Sequence, residues 1–251
     1  MNNRIGKKGM FSEVQMAIIA LVSIVVLSLF VYKAYDSLKE KLEIQSCKDS
    51  IESHALIAKG SGRNIFTEIK CPTKDVTISN LKDSNKIIAE DMHSCWYIWG
   101  RGQRDYFNDE GTYCHICAIY TFADKGQQIG GLADYLASHN IKPLYPGDPH
   151  GVKYSDYLMG TSEFDSEDAH EIQSALNTDS VYTSDSYATI YVYSSDKTFM
   201  QKMRDLIPLL GYYDISSVQY VAFRPYDNQT INSLGCQRLE VNQQSNKINV
   251  G

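Results

Sequence analysis

Six cysteines and a scatter of histidines are the residues here with the most chemistry to offer. Cys114-His115-Ile116-Cys117 has the C-x-x-C spacing of thiol-redox pairs, and His93-x-Cys95 lies about twenty residues upstream. Zinc takes Cys and His, so His93, Cys95, Cys114 and Cys117 form a four-ligand zinc set by residue type. Its geometry is poor, because two residues apart on a helix diverge by about 200° around the axis. A redox C-x-x-C belongs at a helix N-terminus, where the dipole stabilises a thiolate. Cys117 instead leads into "AIYTF", a run of β-formers. Along a strand, positions i and i+3 point to opposite faces about 10 Å apart, too far for one bond. Either the motif bulges or its two cysteines have different partners. Other reactive patterns are missing from the sequence: there is no H-x-E, G-x-S-x-G or HExxH, and no Gly-rich phosphate loop after a strand. His54, His139, His150 and His170 stand isolated. The acidic run "EFDSEDAHE" suits a hard cation such as calcium but lacks the order of an EF-hand loop. No catalytic residue and no resident cofactor are assigned, with zinc the runner-up.

The elements around these residues read as alternating strands and helices. "DVTISN" alternates as a strand does, with Val76 and Ile78 on one face. A helix runs from Asp83 or Ser84 to Gly100, and Ile88, Met92, Cys95, Trp96 and Trp99 share one face of it. "TYCHICAIYTF" and "ATIYVYS" read as buried strands, with a third at Val218–Phe223. Helices are expected at Gln128–His139 and Thr198–Leu210, so "IYTFADK" and "IYVYSSDK" each open a strand–helix unit. The fold class is α/β or α+β, a sheet covered by helices in a globular domain at 61–251.

The compartment decides how the cysteines are read, and the first sixty residues decide the compartment. Val14 to Tyr32 holds no formal charge over 19 residues, about 28 Å of helix against a hydrocarbon core of about 30 Å. No A-x-A-like site follows it, as a cleaved secretory signal would require. Arg4, Lys7 and Lys8 precede the span and keep the N-terminus cytoplasmic. Segment 10–35 is thus a transmembrane helix, and 61–251 faces away from the cytoplasm. From Ser37 to Ala58 there is no Pro or Gly, and Ile44, Cys47, Ile51, Ala55 and Ala58 form one apolar stripe. A single helix from about Ser12 to Lys59 therefore continues amphipathically through 36–60, with "KGSGR" as its stop.

The leader "KKG" (Lys7, Lys8, Gly9), then Met10, Ser12 and Glu13 before an apolar helix, resembles archaeal class III signal peptides and type IV pilin-like proteins. The resemblance covers about the first 50 residues. It implies cutting between Gly9 and Met10 on the cytoplasmic side, with the apolar helix retained. Glu13 stands fourth after that cut, where the family's Glu usually stands fifth. A plain N-terminal anchor, with Ser12 as N-cap and Glu13 in the first turn, accounts for the same residues.

In an outward-facing, oxidising compartment, six cysteines imply disulfides. Cys47 lies on the apolar stripe and Cys71 precedes Pro72, which biases it to extended backbone. Their pairing ties the long helix to the start of the sheet. Asn228-Gln229-Thr230 is a glycosylation sequon, placing Asn228 on an exported turn. The chain carries a formal charge of −6 although its leader is basic, so the body is acidic and no nucleic-acid partner is expected. The expected partners are the lipid bilayer and copies of the chain or other envelope proteins. The function so read is a single-pass, membrane-anchored structural or interaction component. The alternative is an anchored thiol-redox or zinc enzyme centred on Cys114–Cys117.

Overall fold

The structure, a computed structural model, describes residues 13–61, 69, 71–103, 106–107, 110–145, 147–159, 166–198, 201, 217–236, 238–240 and 246–250. Two compact units divide the chain, Met1–Glu43 and Ile44–Gly251. The first helix, α1 (Glu13–Ser61), has residues in both. In the first unit Gln15–Lys33 is a 19-residue apolar stretch, exposed throughout. It is long and apolar enough to cross a membrane. Its two serines do not interrupt it: Ser23 Oγ donates to the Ile19 carbonyl and Ser28 Oγ to that of Ile24, each at 2.8 Å. Hydroxyls bonded back one turn need no water.

The second unit is a mixed α/β domain. Its strands are β1 (Lys74–Ile78), β2 (Thr112–Phe122), β3 (Gln128–Ile129), β4 (Val181–Tyr182), β5 (Tyr187–Ser194), β6 (Val218–Pro225), β7 (Arg238–Glu240) and β8 (Asn246–Val250). Its helices after α1 are α2 (Ser84–Ile98), α3 (Leu132–Ser138), α4 (Tyr154–Met159), α5 (Ser166–Leu176) and α6 (Asn228–Ser233). The main sheet has the order β6-β5-β2-β1-β8, with β7 also paired to β2. β1 is parallel to β2 and to β8, while β5 is antiparallel to β2 and to β6. The parallel β1–β2 pair requires a crossover, and α2 supplies it. Every residue of β5 is buried, as a central strand covered on both faces demands.

The two faces differ in what fills them. Tyr120, Phe122, Tyr187, Tyr191 and Phe223 face α2, and Trp99 stacks on Tyr191 with ring centroids 4.3 Å apart. The opposite face is aliphatic: Ile116, Ile190 and Val192 pack on Ile172 and Leu176 of α5 and on Ile231 of α6. The outer edge of β6 is occupied by the chain after α5. Asn177 Oδ1 accepts the Phe223 N–H at 2.8 Å, and the Thr178 N–H donates to the Phe223 carbonyl at 2.9 Å. A side chain and a turn there fill ladder positions that would otherwise be an open edge.

Cys47, Ile51 and His54 of α1 are buried in the domain core, and Ala55 packs against it. His54 therefore belongs to the apolar stripe. Cys47 is bonded to Cys71, with Cα atoms 4.5 Å apart. The boundary between the two units falls inside the 36–60 stretch, one turn before this first buried residue. The 128–139 segment differs from expectation. Gln128 and Ile129 pair with Tyr182 and Val181 as a short antiparallel ladder, and the helix begins only at Leu132. Gly131, at φ 79°, makes the turn between them, which a side chain would oppose. The helix expected at Thr198–Leu210 lies almost wholly outside the described residues.

Replacing Cys47 and Cys71 together by serine reopens a loop of 24 residues in the unfolded chain. The chain-entropy relation gives a loss of about 3 kcal/mol, and thermal denaturation of the oxidised full chain should show a Tm lower by roughly 6–12 °C.

Candidate functional site

The densest cluster of polar and aromatic side chains lies where the end of α2 meets the segment 141–153. One face of α2 carries Ile88, Met92, Cys95 and Trp96 onto the sheet, which turns His93, Ser94 and Tyr97 towards that segment and α4. The helix is capped by Trp99 and followed by Gly100, Arg101 and Gly102, all left-handed, with φ of 67°, 60° and 68°. Both glycines are required by close contacts. A Cβ on Gly100 would meet the Tyr106 hydroxyl, and one on Gly102 would lie 2.9 Å from the Trp96 ring. Arg101, between them, takes the same backbone and aims its guanidinium back across α2.

Asp148 is the centre of the cluster, and its side chain is wholly buried. Oδ1 accepts from Arg101 Nη2 at 2.7 Å and from the Tyr157 hydroxyl at 3.1 Å. Oδ2 accepts the N–H groups of Tyr145 at 2.8 Å and Leu144 at 3.0 Å. His93 Nε2 lies 3.2 Å from Oδ2 without the alignment of a hydrogen bond. Burial of Asp148 opposes its ionisation. The Tyr145 N–H, the neighbouring His93, the Leu144 N–H and the Tyr157 hydroxyl together outweigh it and hold the carboxyl below its ordinary range. His93 is pushed the other way. Burial lowers its pKa more than Asp148 raises it, and Arg101 adds to the lowering, so the imidazole is harder to protonate than an ordinary histidine. Its ring is enclosed by Tyr157, Tyr145 and Tyr154, with centroids 4.7, 5.6 and 6.3 Å away. The hydroxyls around it are committed, since Tyr157 donates to Asp148 and Ser94 bonds the Tyr145 hydroxyl at 2.6 Å. The arrangement fastens the segment 144–148 to α2 and α4, and it presents a carboxylate to a cation.

A second network ties α2 to the sheet. The Tyr120 hydroxyl donates to Asp91 Oδ2 at 3.1 Å and shares a 2.9 Å bond with Thr189, while Lys74 Nζ reaches Asp91 Oδ1 at 2.8 Å. Burial, with Asp91 adding to it, raises the Tyr120 hydroxyl well above its ordinary pKa. This network spans β1, α2, β2 and β5 and has a structural part.

The cysteines take a different arrangement from the zinc set. Cys95 is bonded to Cys117 and Cys114 to Cys236, with Cα atoms 5.8 and 5.6 Å apart, and none of the six is a free thiol. Zinc binds thiolates, and sulfurs held in disulfides supply none, so Cys95, Cys114 and Cys117 do not form the proposed set with His93. His93 faces Asp148 instead. Nor is Cys114–Cys117 a redox pair, because its members point to opposite faces of β2. The pairing of β2 with β5 slips between Ile116 and Ala118, making Cys117 the extra, bulged residue. The motif thus both bulges and sends its cysteines to separate partners. Among the described residues no group of three or more His, Cys, Asp or Glu could hold a metal ion; Glu163 and Asp165 of the acidic run lie outside them. Asn228, expected on a turn, is the exposed first residue of α6. Asp227 caps that helix, accepting from the Thr230 N–H at 2.8 Å and its hydroxyl at 2.7 Å. Gly9 and Met10 lie outside the described residues.

Asp148, Arg101 and Tyr157 carry no motif and were missed in the sequence. The Gly-Arg-Gly triplet at the end of α2 is the one local signal for them, since glycines on both sides mark an unusual backbone. No family model, no curated protein and no solved structure matches the chain.

His115 contributes a pH dependence to the stability of this domain. It is buried against Trp99, centroid distance 5.5 Å, and burial lowers its pKa to about 4. The unfolded chain, with an ordinary His pKa near 6.5, takes up the proton first. Stability is therefore full above about pH 6.5 and falls by about 3 kcal/mol as pH drops towards 4. His93 acts in the same direction, whereas Asp148 adds its loss only below about pH 3.8. Thermal melts from pH 7 to pH 4 should show a falling Tm, and the slope should be shallower in His115→Gln whatever its Tm at pH 7.

Proposed function

We propose that the protein is a single-pass, membrane-anchored component whose α/β head stands outside the cytoplasm and makes structural contacts there. One observation carries this reading: an exposed 19-residue apolar helix in a chain whose six cysteines are all bonded. An exposed surface of that kind needs lipid or another apolar cover, and three disulfides belong to an oxidising compartment. The basic residues before the span favour an N-terminus in the cytoplasm. On the pilin-like version a peptidase cuts between Gly9 and Met10 and leaves the helix in place. The head then meets copies of the chain or other envelope proteins, and Asn228 accepts a glycan. The thiol-redox or zinc alternative has less support, since Cys117 is bonded to Cys95 and Cys114 to Cys236.

The full chain should stay with membranes through alkaline carbonate and leave them in detergent; release by carbonate would defeat the anchor. In sealed right-side-out vesicles, added protease should digest the head, and protection of the head would reverse the orientation. The mass of the purified protein should correspond to a chain beginning at Met10. A mass retaining Met1 would leave the plain anchor and sink the pilin-like version.

A further inference from the structure

The cluster around Asp148 holds Arg101 as proteins hold a guanidinium supplied by another molecule. Two arms of the planar fork meet two acceptors, Nη2 with Asp148 Oδ1 at 2.7 Å and Nη1 with the Gly147 carbonyl at 3.0 Å. Cζ lies 5.2 Å from the centroid of the Tyr97 ring and 5.6 Å from that of Tyr157, within cation–π reach of both. The receiving side is built by other residues. The Asp148 carboxylate is positioned by the N–H groups of Leu144 and Tyr145 and by the Tyr157 hydroxyl, and Tyr97 is fixed by stacking on Tyr145, centroids 4.1 Å apart.

We propose that Asp148, the Gly147 carbonyl, Tyr97 and Tyr157 form a guanidinium-recognition site that Arg101 fills in cis, and that the site takes an arginine side chain of another protein when Arg101 withdraws. Arg101 is the one described non-glycine residue with positive φ, a conformation that Cβ disfavours. Its side chain is 23% exposed, so it has a path to solvent, whereas that of Asp148 is buried. Withdrawal would leave the buried Asp148 carboxylate without its guanidinium, a site that favours a new cation. The site lies wholly within the Ile44–Gly251 unit, so its binding can be measured whether or not the anchoring reading is right.

Arg101→Gly removes the plug and suits the backbone at φ 60°. The full chain in detergent would be melted with low-millimolar ethylguanidinium, the head of an arginine side chain, and with urea as its neutral counterpart. At ten times its dissociation constant, ethylguanidinium should raise the Tm of the variant by roughly 3–6 °C over urea. Wild type, already plugged, should show no such rise, and neither should R101G carrying Asp148→Asn. Equal responses of R101G to ethylguanidinium and urea, or equal shifts in wild type and R101G, would overturn the proposal. Arg101→Gln, neutral and similar in length, carries the same comparison should R101G fail to fold.

Discussion

Cys117 is the extra residue in the pairing of β2 with β5, and the phase of that strand turns on it. Before the bulge, odd-numbered residues face α2: the His115 ring lies against Trp99, and Cys117 itself bonds Cys95. After it, even-numbered residues do, so Tyr120 reaches Asp91 of α2 and Phe122 meets Tyr187. An unbulged strand would send Tyr120 and Phe122 into the aliphatic layer, since a shift of one residue moves every later side chain to the other face. The aromatic layer under α2 therefore depends on one inserted residue, and a disulfide holds that residue in place.

The same strand is fastened on its other face. Cys114 bonds Cys236, which brings the chain after α6 alongside β2, where β7 pairs with Tyr113–His115. β1 occupies the same side of β2 beyond the bulge, pairing with Ala118–Phe122. One strand thus carries two short partners in series on one side and β5 along the other. With α2 fixed over β2, its C-terminal turn has a defined position, and Arg101 and His93 reach the 144–148 segment.

Much of the fold was legible because it rests on patterns that survive without context. Alternation and β-formers marked β1, β2, β5 and β6, and the shared face of Ile88, Met92, Cys95 and Trp96 marked α2. The i, i+3 argument at Cys114 and Cys117 left either a bulge or separate partners, and the structure has both. What was hidden depends on residues far apart in sequence. The Gln128–Ile129 pair is a strand because Val181–Tyr182 is there to receive it, and its own composition suits a helix equally well. Cys236 gave no hint of its partner 122 positions away. The Asp148 cluster was invisible for the same reason: an Asp in a Pro- and Gly-rich loop and a Tyr on a short helix gain meaning only when α2 brings Arg101 between them.

The disulfides also connect the head to the question of compartment. Two of them close loops of 24 and 22 residues and fix α1 and α2 to the sheet, while the third spans 122 residues and fixes the C-terminal strands. Reduced, the head would lose the attachment of α1 at Cys47, the bulge staple at Cys117 and the tie at Cys236 together. Closure entropy grows only slowly with loop length, so each short loop contributes about two thirds of what the long one does. Each acts at a different element, and no single remaining contact covers for all three. The sheet would keep its buried aromatic and aliphatic layers but lose the covalent fixing of α1, α2 and the C-terminal strands. A head built this way is most stable where thiols are oxidised. That chemistry suits an extracytoplasmic head, and the exposed apolar helix could anchor such a head in a membrane.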